Sequence, residues 1–198
     1  MEVVIIKYNA GNIQSVKYAL ERIGVSFLVT DDVEEIKKAD RIIFPGVGEA
    51  SSAMKYLKEK KIDQLIPLLA QPVLGICLGM QLMCKYSEEN DTGCIGIFET
   101  IVKRFDPSMS KERLKVPQIG WNTIYDLRSS LFNNIPGQSF CYFVHGYYAE
   151  TNKNTIAKTN YCKEYSSALQ KNNFYGVQFH PEKSAAVGEQ ILKNFLSI

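Results

Sequence analysis

The sequence is short of histidine, of tryptophan and of long apolar runs, and each shortage removes a class of function. Its two histidines, His145 and His180, are far from metal-ligand spacing, and none of its five cysteines forms a CxxC pair. A structural zinc site has nothing to be built from, and an odd number of cysteines argues against a disulfide framework. Reduced thiols in a cytoplasmic setting fit better. No stretch is long enough to span a bilayer, and the apolar run Val3 to Ile6 is far too short for the core of a signal peptide. Charge of one sign is also missing: 23 basic residues face 21 acidic ones. No basic block marks a nucleic-acid surface, and Lys58-Glu59-Lys60-Lys61 reads as a solvated helix end. Neither GxGxxG nor GxxxxGK[ST] occurs, so nucleotide binding is a weak reading.

What is present is an alternation of strand and helix. Val3-Val4-Ile5-Ile6 has the continuous apolar character of a strand buried on both faces. A helix follows in which Val16, Ala19, Leu20 and Ile23 share a face, with Gly24 suited to its C-terminal cap. Val25 to Val29 is a second strand. Asp31 and Asp32 are N-cap candidates for a helix carrying Val33, Ile36 and Ala39. Arg41 to Phe44 is a third strand, stopped by Pro45-Gly46-Val47-Gly48. Helical stretches run to about Ala70, Val73 to Ile76 is a fourth strand, and the segment after Cys77 reads as helix to about Tyr86. This order implies a parallel sheet with helices on both faces, whose reactive groups lie at the C-terminal strand ends. The second half is strand-rich, with candidates at Ile95 to Phe105, Phe140 to Val144, Thr155 to Lys158, Ser167 to Gln170 and Phe174 to Phe179. Asn172-Asn173 suits a tight hairpin turn, and a helix from about Ala185 to Leu196 closes the chain. Its 198 residues, 45% of them hydrophobic, suffice for one well-buried domain, and no repeat or linker divides them.

Three segments could carry chemistry. Gly75-Ile76-Cys77-Leu78-Gly79 has the form of a nucleophile elbow with Cys in place of Ser. Flanking glycines relieve crowding at such a turn, a helix N-terminus favours a thiolate, and the N–H of Leu78 faces the same place. The alternative is a buried structural cysteine in a glycine-rich turn. In His180-Pro181-Glu182, residues i and i+2 of an extended segment share a face, which sets a carboxylate beside an imidazole; the alternative is a strand-end histidine with a surface glutamate. Pro45-Gly46-Val47-Gly48 either offers backbone N–H groups to an oxyanion or is an ordinary turn. His145 has no carboxylate nearby in sequence and reads as a structural histidine.

Taken in order, these segments resemble the class I (triad) glutamine amidotransferases: Pro45-Gly46-Val47-Gly48, Gly75-Ile76-Cys77-Leu78-Gly79-Met80-Gln81 and Gln178-Phe179-His180-Pro181-Glu182. The resemblance covers the whole chain. Within that class the chain is similar to the glutaminase subunits of imidazole glycerol phosphate synthase. Gly11-Asn12-Ile13 with Ser15-Val16, Pro117-Gln118-Ile119-Gly120-Trp121-Asn122, Tyr142-Phe143-Val144-His145 and Lys183-Ser184 carry that closer likeness. Lys7, Asn9 and Gln118 depart from the residues common at those places, and Glu49 follows the oxyanion segment.

The resemblance implies a class I glutamine amidotransferase fold: a central, mostly parallel sheet flanked by helices, with added antiparallel strands in the second half. It implies a Cys77-His180-Glu182 triad that hydrolyses glutamine through a glutamyl thioester, with no cofactor and no metal. Val47 and Leu78 would supply the oxyanion hole, and Gly46, Gly48, Gln81, Gly146 and Tyr147 the glutamine contacts. The amidotransferase core uses the whole length, so ammonia is expected to pass to a separate (β/α)8 cyclase chain in a heterodimer. Asn12, Trp121, Tyr142 and Lys183 are the expected interface, although Trp121 is also readable as an ordinary aromatic. The rival readings are a glutaminase subunit for anthranilate or pyridoxal phosphate synthesis, a cysteine peptidase or stress protein of the same elbow-bearing fold, and an inactive binding module.

Overall fold

A computed structural model describes residues 1–9, 13–109 and 114–198. The first half alternates β1 (Val3–Ile6), α1 (Ile13–Arg22), β2 (Phe27–Thr30), α2 (Val33–Lys38), β3 (Arg41–Phe44), α3 (Ala50–Glu59), α4 (Ile62–Leu65), β4 (Val73–Ile76) and α5 (Leu78–Leu82). The second half brings β5 (Cys84–Ser87), β6 (Thr92–Gly93), β7 (Phe98–Arg104), β8 (Gln118–Ile124), β9 (Ser139–His145), β10 (Tyr147–Ala149), β11 (Thr155–Tyr161), β12 (Lys163–Lys171), β13 (Phe174–Val177) and α6 (Ala185–Ser197). The main sheet runs β2-β1-β3-β4-β13-β12-β10-β7-β5-β6, with β11 beside β12, while β8 and β9 form a separate antiparallel ribbon. The five strands from β2 to β13 are parallel to one another, and antiparallel pairs begin at β12.

The continuous apolar strands are explained by two cores. Val4 and Ile6 enter the core under α3 and α5, with Met54, Leu57, Met80 and Leu82. Val3 and Ile5 enter the opposite core under α1 and α6, with Val16, Leu20, Ile191 and Phe195. Side chains alternate across a strand, so a sheet buried on both faces needs an apolar residue at every position. Local punctuation matches the expectations. Asp32 caps α2, its carboxylate accepting from the N–H groups of Glu34 and Glu35. Gly24 takes a left-handed φ of 74° after α1. Asn172, with φ 55°, turns β12 into β13.

Several element boundaries differ from the sequence expectation. Helix α5 stops at Leu82 instead of continuing to Tyr86, because Cys84–Ser87 pairs as a strand with β7, and tertiary pairing overrides the helical pattern. The strand expected from Ile95 begins only at Phe98: the N–H groups of Ile95 and Gly96 are drawn to Leu82 O and Cys84 O, and Gly96 sits at φ 83°. Ile23 lies just past α1. Strands β5, β6, β8 and β10 fall where the sequence pattern marks none. No helix among the described residues is long and apolar enough to cross a membrane.

Helix α6 packs against the one-turn 3₁₀ helix Pro181–Lys183, and the contact is close at Gly188, where a Cβ would land on the Pro181 carbonyl oxygen. Gly188→Ala is therefore expected to lose about 1–3 kcal/mol of stability. Gly137→Ala, where a Cβ meets nothing within 4 Å, should change it by less than about 0.5 kcal/mol. Urea midpoints of the two variants check the contrast, and equal midpoints would refute it.

Candidate active site

Cys77 stands between β4 and α5 with φ 52° and ψ −108°, a conformation costly for a residue with a side chain, of order 1–3 kcal/mol. The neighbours hold it there. Its N–H donates to Val177 O at 2.8 Å, which continues the β4–β13 pairing one residue beyond the strand. The flanking glycines are required by crowding. A Cβ on Gly79 would fall on the Phe44 carbonyl oxygen, and one on Gly75 would lie 2.8 Å from the Met80 nitrogen and against the end of the Met83 side chain.

The side chains of His180 and Glu182 are both buried, with Nδ1 and Oε1 2.7 Å apart. The expected extended i, i+2 arrangement is only half right. His180 is extended, but Glu182 lies within the 3₁₀ turn, which brings its carboxylate back to the imidazole instead of along a strand. The backbone of His180 is clamped from both sides. Its N–H donates to Tyr142 O at 2.9 Å, and its carbonyl accepts from the Ser184 hydroxyl, whose oxygen in turn accepts the Tyr142 N–H. The imidazole Nε2 has no hydrogen-bond partner that closes it off among the described residues and is left to the Cys77 sulfur. Burial opposes protonation of this ring, but the Cys77 sulfur and then Glu182 outweigh it, and its pKa is pushed up to about 10.

Cys77 opens onto a cavity of about 260 Å³ lined by Val47, Gly48, Leu78, Gln81, Gly146 and Tyr147, all expected from the sequence. Gly46 is near but does not line it, being packed against the Tyr8 hydroxyl and Leu78. The Tyr8 hydroxyl donates to Pro45 O at 2.5 Å and pins the start of this segment. The sequence reading missed three further wall residues, Glu89, Pro117 and Val144. Glu89 is the one carboxylate in the lining among the described residues; burial raises its pKa, while the Ala50 N–H, donating at 2.8 Å, works the other way. Nothing in the local pattern around Glu89 sets it apart from the neighbouring surface acids; only the fold turns it inward.

The two expected oxyanion donors are not both free. The N–H of Leu78 donates to Gly46 O at 3.2 Å. A trans peptide puts its C=O and N–H on opposite sides, so the Val47 N–H of the same peptide unit points away from Leu78. Gln81 is also committed. One N–H of its amide donates to Tyr147 O (3.0 Å) and the other to Gln178 Oε1 (2.9 Å), which leaves its carbonyl oxygen for the cavity.

His145 lines the cavity as well, but its bonding is that of a structural residue. Nδ1 meets Tyr147 O at 2.6 Å and Nε2 meets the Tyr165 hydroxyl at 3.2 Å. Burial lowers its pKa to about 4, the Tyr147 carbonyl partly opposing that and the His180 charge adding to it.

The expected interface residues fall on the ribbon and beside the triad. Trp121 and Tyr142 are paired across β8 and β9, with rings 5.8 Å apart at 74°. Trp121 is 52% exposed, and Ile119 (64%) and Phe140 (58%) extend the same apolar face. Lys183 is exposed in the turn after Glu182. Asn12 lies outside the described residues.

The family model for class I glutamine amidotransferases matches residues 4–198. The chain is 57% identical to the imidazole glycerol phosphate synthase subunit HisH of Bacteroides fragilis, over 198 residues and the full length of both chains. It is 52% identical to the protein of the same name from Bacteroides thetaiotaomicron, again over the full length of both. Among solved structures, a glutamine amidotransferase from Thermotoga maritima superposes with a TM-score of 0.66 at 18% identity, covering 100% of this chain and 83% of that one. PurLQS from Thermotoga maritima gives 0.72 at 16% identity, covering 99% and 97%. At these identities the structural likeness bears on the fold alone.

The two histidines are shifted in opposite directions from the ordinary value of 6.5. Between about pH 6.5 and about pH 4 the folded chain binds fewer protons at His145 than the unfolded chain, so His145 makes stability fall with falling pH in that window. His180 contributes stability below about pH 6.5 that is lost as pH rises towards about 10. With only two imidazoles in the chain, an NMR titration separates them. The His145 resonance should stay in its neutral position down to about pH 4; titration near 6.5 would contradict its burial and bonding.

Proposed function

The chain belongs to the class I glutamine amidotransferase family, and from that premise we propose that it is the glutaminase subunit of an imidazole glycerol phosphate synthase of histidine biosynthesis. It would act as a single amidotransferase domain, releasing ammonia for a cyclase partner that makes imidazole glycerol phosphate and aminoimidazole carboxamide ribotide. The observation that carries the reading is the placement of Cys77 at the wall of a cavity with the buried side chains of the His180–Glu182 pair behind it. The full-length likeness to subunits of that synthase supports this pathway over anthranilate or pyridoxal phosphate synthesis.

In the proposed reaction the Cys77 sulfur attacks the side-chain amide carbon of glutamine. His180, its ring held by Glu182, already holds the proton it has drawn from the thiol and gives it to the departing nitrogen, which leaves as ammonia. A glutamyl thioester remains. His180 then draws a proton from water as the water adds to the thioester carbon, and glutamate leaves with the sulfur restored. The net change is glutamine plus water to glutamate plus ammonia. Glu89 is the natural partner for the substrate's ammonium group, and the free carbonyl of Gln81 can accept from the same group. The walls at Gly48, Gly146 and Tyr147 fit the carboxylate end.

The tetrahedral oxygen needs donors that the resting site withholds. With Gly46 O on the Leu78 N–H and the Val47 N–H turned away, rotation of the Gly46–Val47 peptide would release one donor and bring in the other. A missing donor typically costs about 3 kcal/mol of barrier, so this rotation can gate turnover. The exposed apolar face of Ile119, Trp121 and Phe140, with Tyr142 and Lys183 beside it, is the proposed docking surface for the cyclase. The unpaired state of Cys77, Cys84, Cys94, Cys141 and Cys162 suits a cytoplasmic heterodimer.

Three measurements test this reading. Cys77→Ala should abolish glutamine-dependent synthesis in the two-chain complex and leave ammonia-dependent synthesis in place; loss of both would sink the ammonia-supplying role. The isolated chain should hydrolyse glutamine poorly until the cyclase and its ligand are added, and high activity from the free chain would count against the peptide gate. Trp121→Ala should weaken cyclase binding by roughly 30-fold or more, as loss of a buried aromatic anchor does. Calorimetric affinity within about twofold of the unsubstituted chain would remove the ribbon from the interface.

A further inference from the structure

We propose that Gln178 is a positioning residue for the nucleophile: its side-chain amide donates a hydrogen bond to the Cys77 sulfur and holds the sulfur on its attack line once it is anionic. The inference rests on the glutaminase reading above and deepens it.

The direction of this bond follows from a backbone carbonyl. Tyr147 O can only accept, so the Gln81 atom 3.0 Å from it is the amide nitrogen. The second N–H of that nitrogen reaches Gln178 at 2.9 Å, and the atom that accepts it must be the Gln178 carbonyl oxygen. The Gln178 nitrogen is then the atom facing Cys77 Sγ, at 3.7 Å. Each amide orientation is forced by the one before it, from Tyr147 to the sulfur. Gln178 is itself fully buried, and its backbone N–H is tied to Ser167 O at 2.9 Å, so the side chain has a fixed base. It does not line the cavity and has no route to the substrate.

The need for such a donor comes from the other side of the sulfur, where Val144 O lies 3.7 Å away. A thiol can donate to that carbonyl. Once the proton has passed to His180 Nε2, the same carbonyl faces a negative sulfur and becomes repulsive. The Gln178 N–H is the neutral group placed to offset it, and hydrogen bonds to charged atoms are the stronger kind. When the sulfur's electron pair forms the bond to the amide carbon, negative charge moves to the substrate oxygen and the N–H···S bond weakens. When the thioester breaks, the pair returns to sulfur and the bond re-forms. Gln178 neither gains nor loses a proton at any step.

Two substitutions separate this role from that of merely holding Gln81. Gln178→Met removes both the acceptor for Gln81 and the donor to sulfur. Gln178→Glu keeps an acceptor for Gln81 and, with its carboxyl ionised, sets a second oxygen in place of the donor against the sulfur. In the cyclase complex both variants are expected to lose roughly 10- to 100-fold in kcat, with the KM for glutamine of the Glu variant within about twofold. Alkylation of Cys77 by iodoacetamide, which needs no glutaminase chemistry, should slow by about tenfold or more in both. Recovery of full turnover in Gln178→Glu would assign the residue to holding Gln81 and overturn the proposal, as would a Gln178→Met enzyme with kcat within about threefold. If Gln178→Met fails to fold by circular dichroism, the Glu variant decides alone. A complex of the unsubstituted chain that turns over no glutamine would instead overturn the glutaminase reading, and the alkylation rates would still report on Gln178.

Discussion

The backbone of Cys77 is held in a conformation that a side-chain-bearing residue adopts at a cost, and the surrounding fold is arranged so that it cannot relax. Strand β4 is bracketed by β3 and β13 in parallel register, and the Cys77 N–H is captured by Val177 beyond the last strand pair. Behind it, α5 approaches β3 so closely that Gly79 touches the Phe44 carbonyl. A sheet buried on both faces supplies the stiffness, since Val3 to Ile6, Ile42 to Phe44 and Val73 to Ile76 are all packed from above and below. Local strain is tolerable at one point because the cost of relaxing it would be borne by two cores.

Much of this was legible in the sequence, for identifiable reasons. The apolar runs of β1, β3 and β4 announce burial on both faces, and Gly24, Asp32 and Asn172 punctuate the chain by local backbone chemistry that does not depend on distant partners. Cys77, His180 and Glu182 could be singled out because an elbow and a His-Pro-Glu segment are short-range patterns. Most of the expected cavity wall followed from the same resemblance, although Gly46 supports the wall without lining it.

What escaped the sequence depends on distant pairing. Strand β5 looks helical until β7 is present to pair with it. Glu89 is one acid among several near the end of β5, and only the path of the chain turns it towards Cys77. Gln178 belongs to a recognisable segment, yet its task is visible only when Gln81, far away in the chain, fixes which end of its amide meets the sulfur. The helix expected after Cys77 is a single turn, and its first N–H is already engaged by Gly46, so a long helix dipole is not what awaits the thiol.

Strand β9 has one further consequence. Its Tyr142 carbonyl grips the backbone of His180, its Val144 carbonyl stands against the Cys77 sulfur, and its outer face carries the exposed aromatic surface beside Trp121. Nucleophile and base thus rest against one rail. The exposed aromatic face and the two carbonyls that meet the nucleophile and the base therefore belong to one strand. The elbow's partner on the other flank, the Gly46–Val47 peptide, is not mounted on this rail.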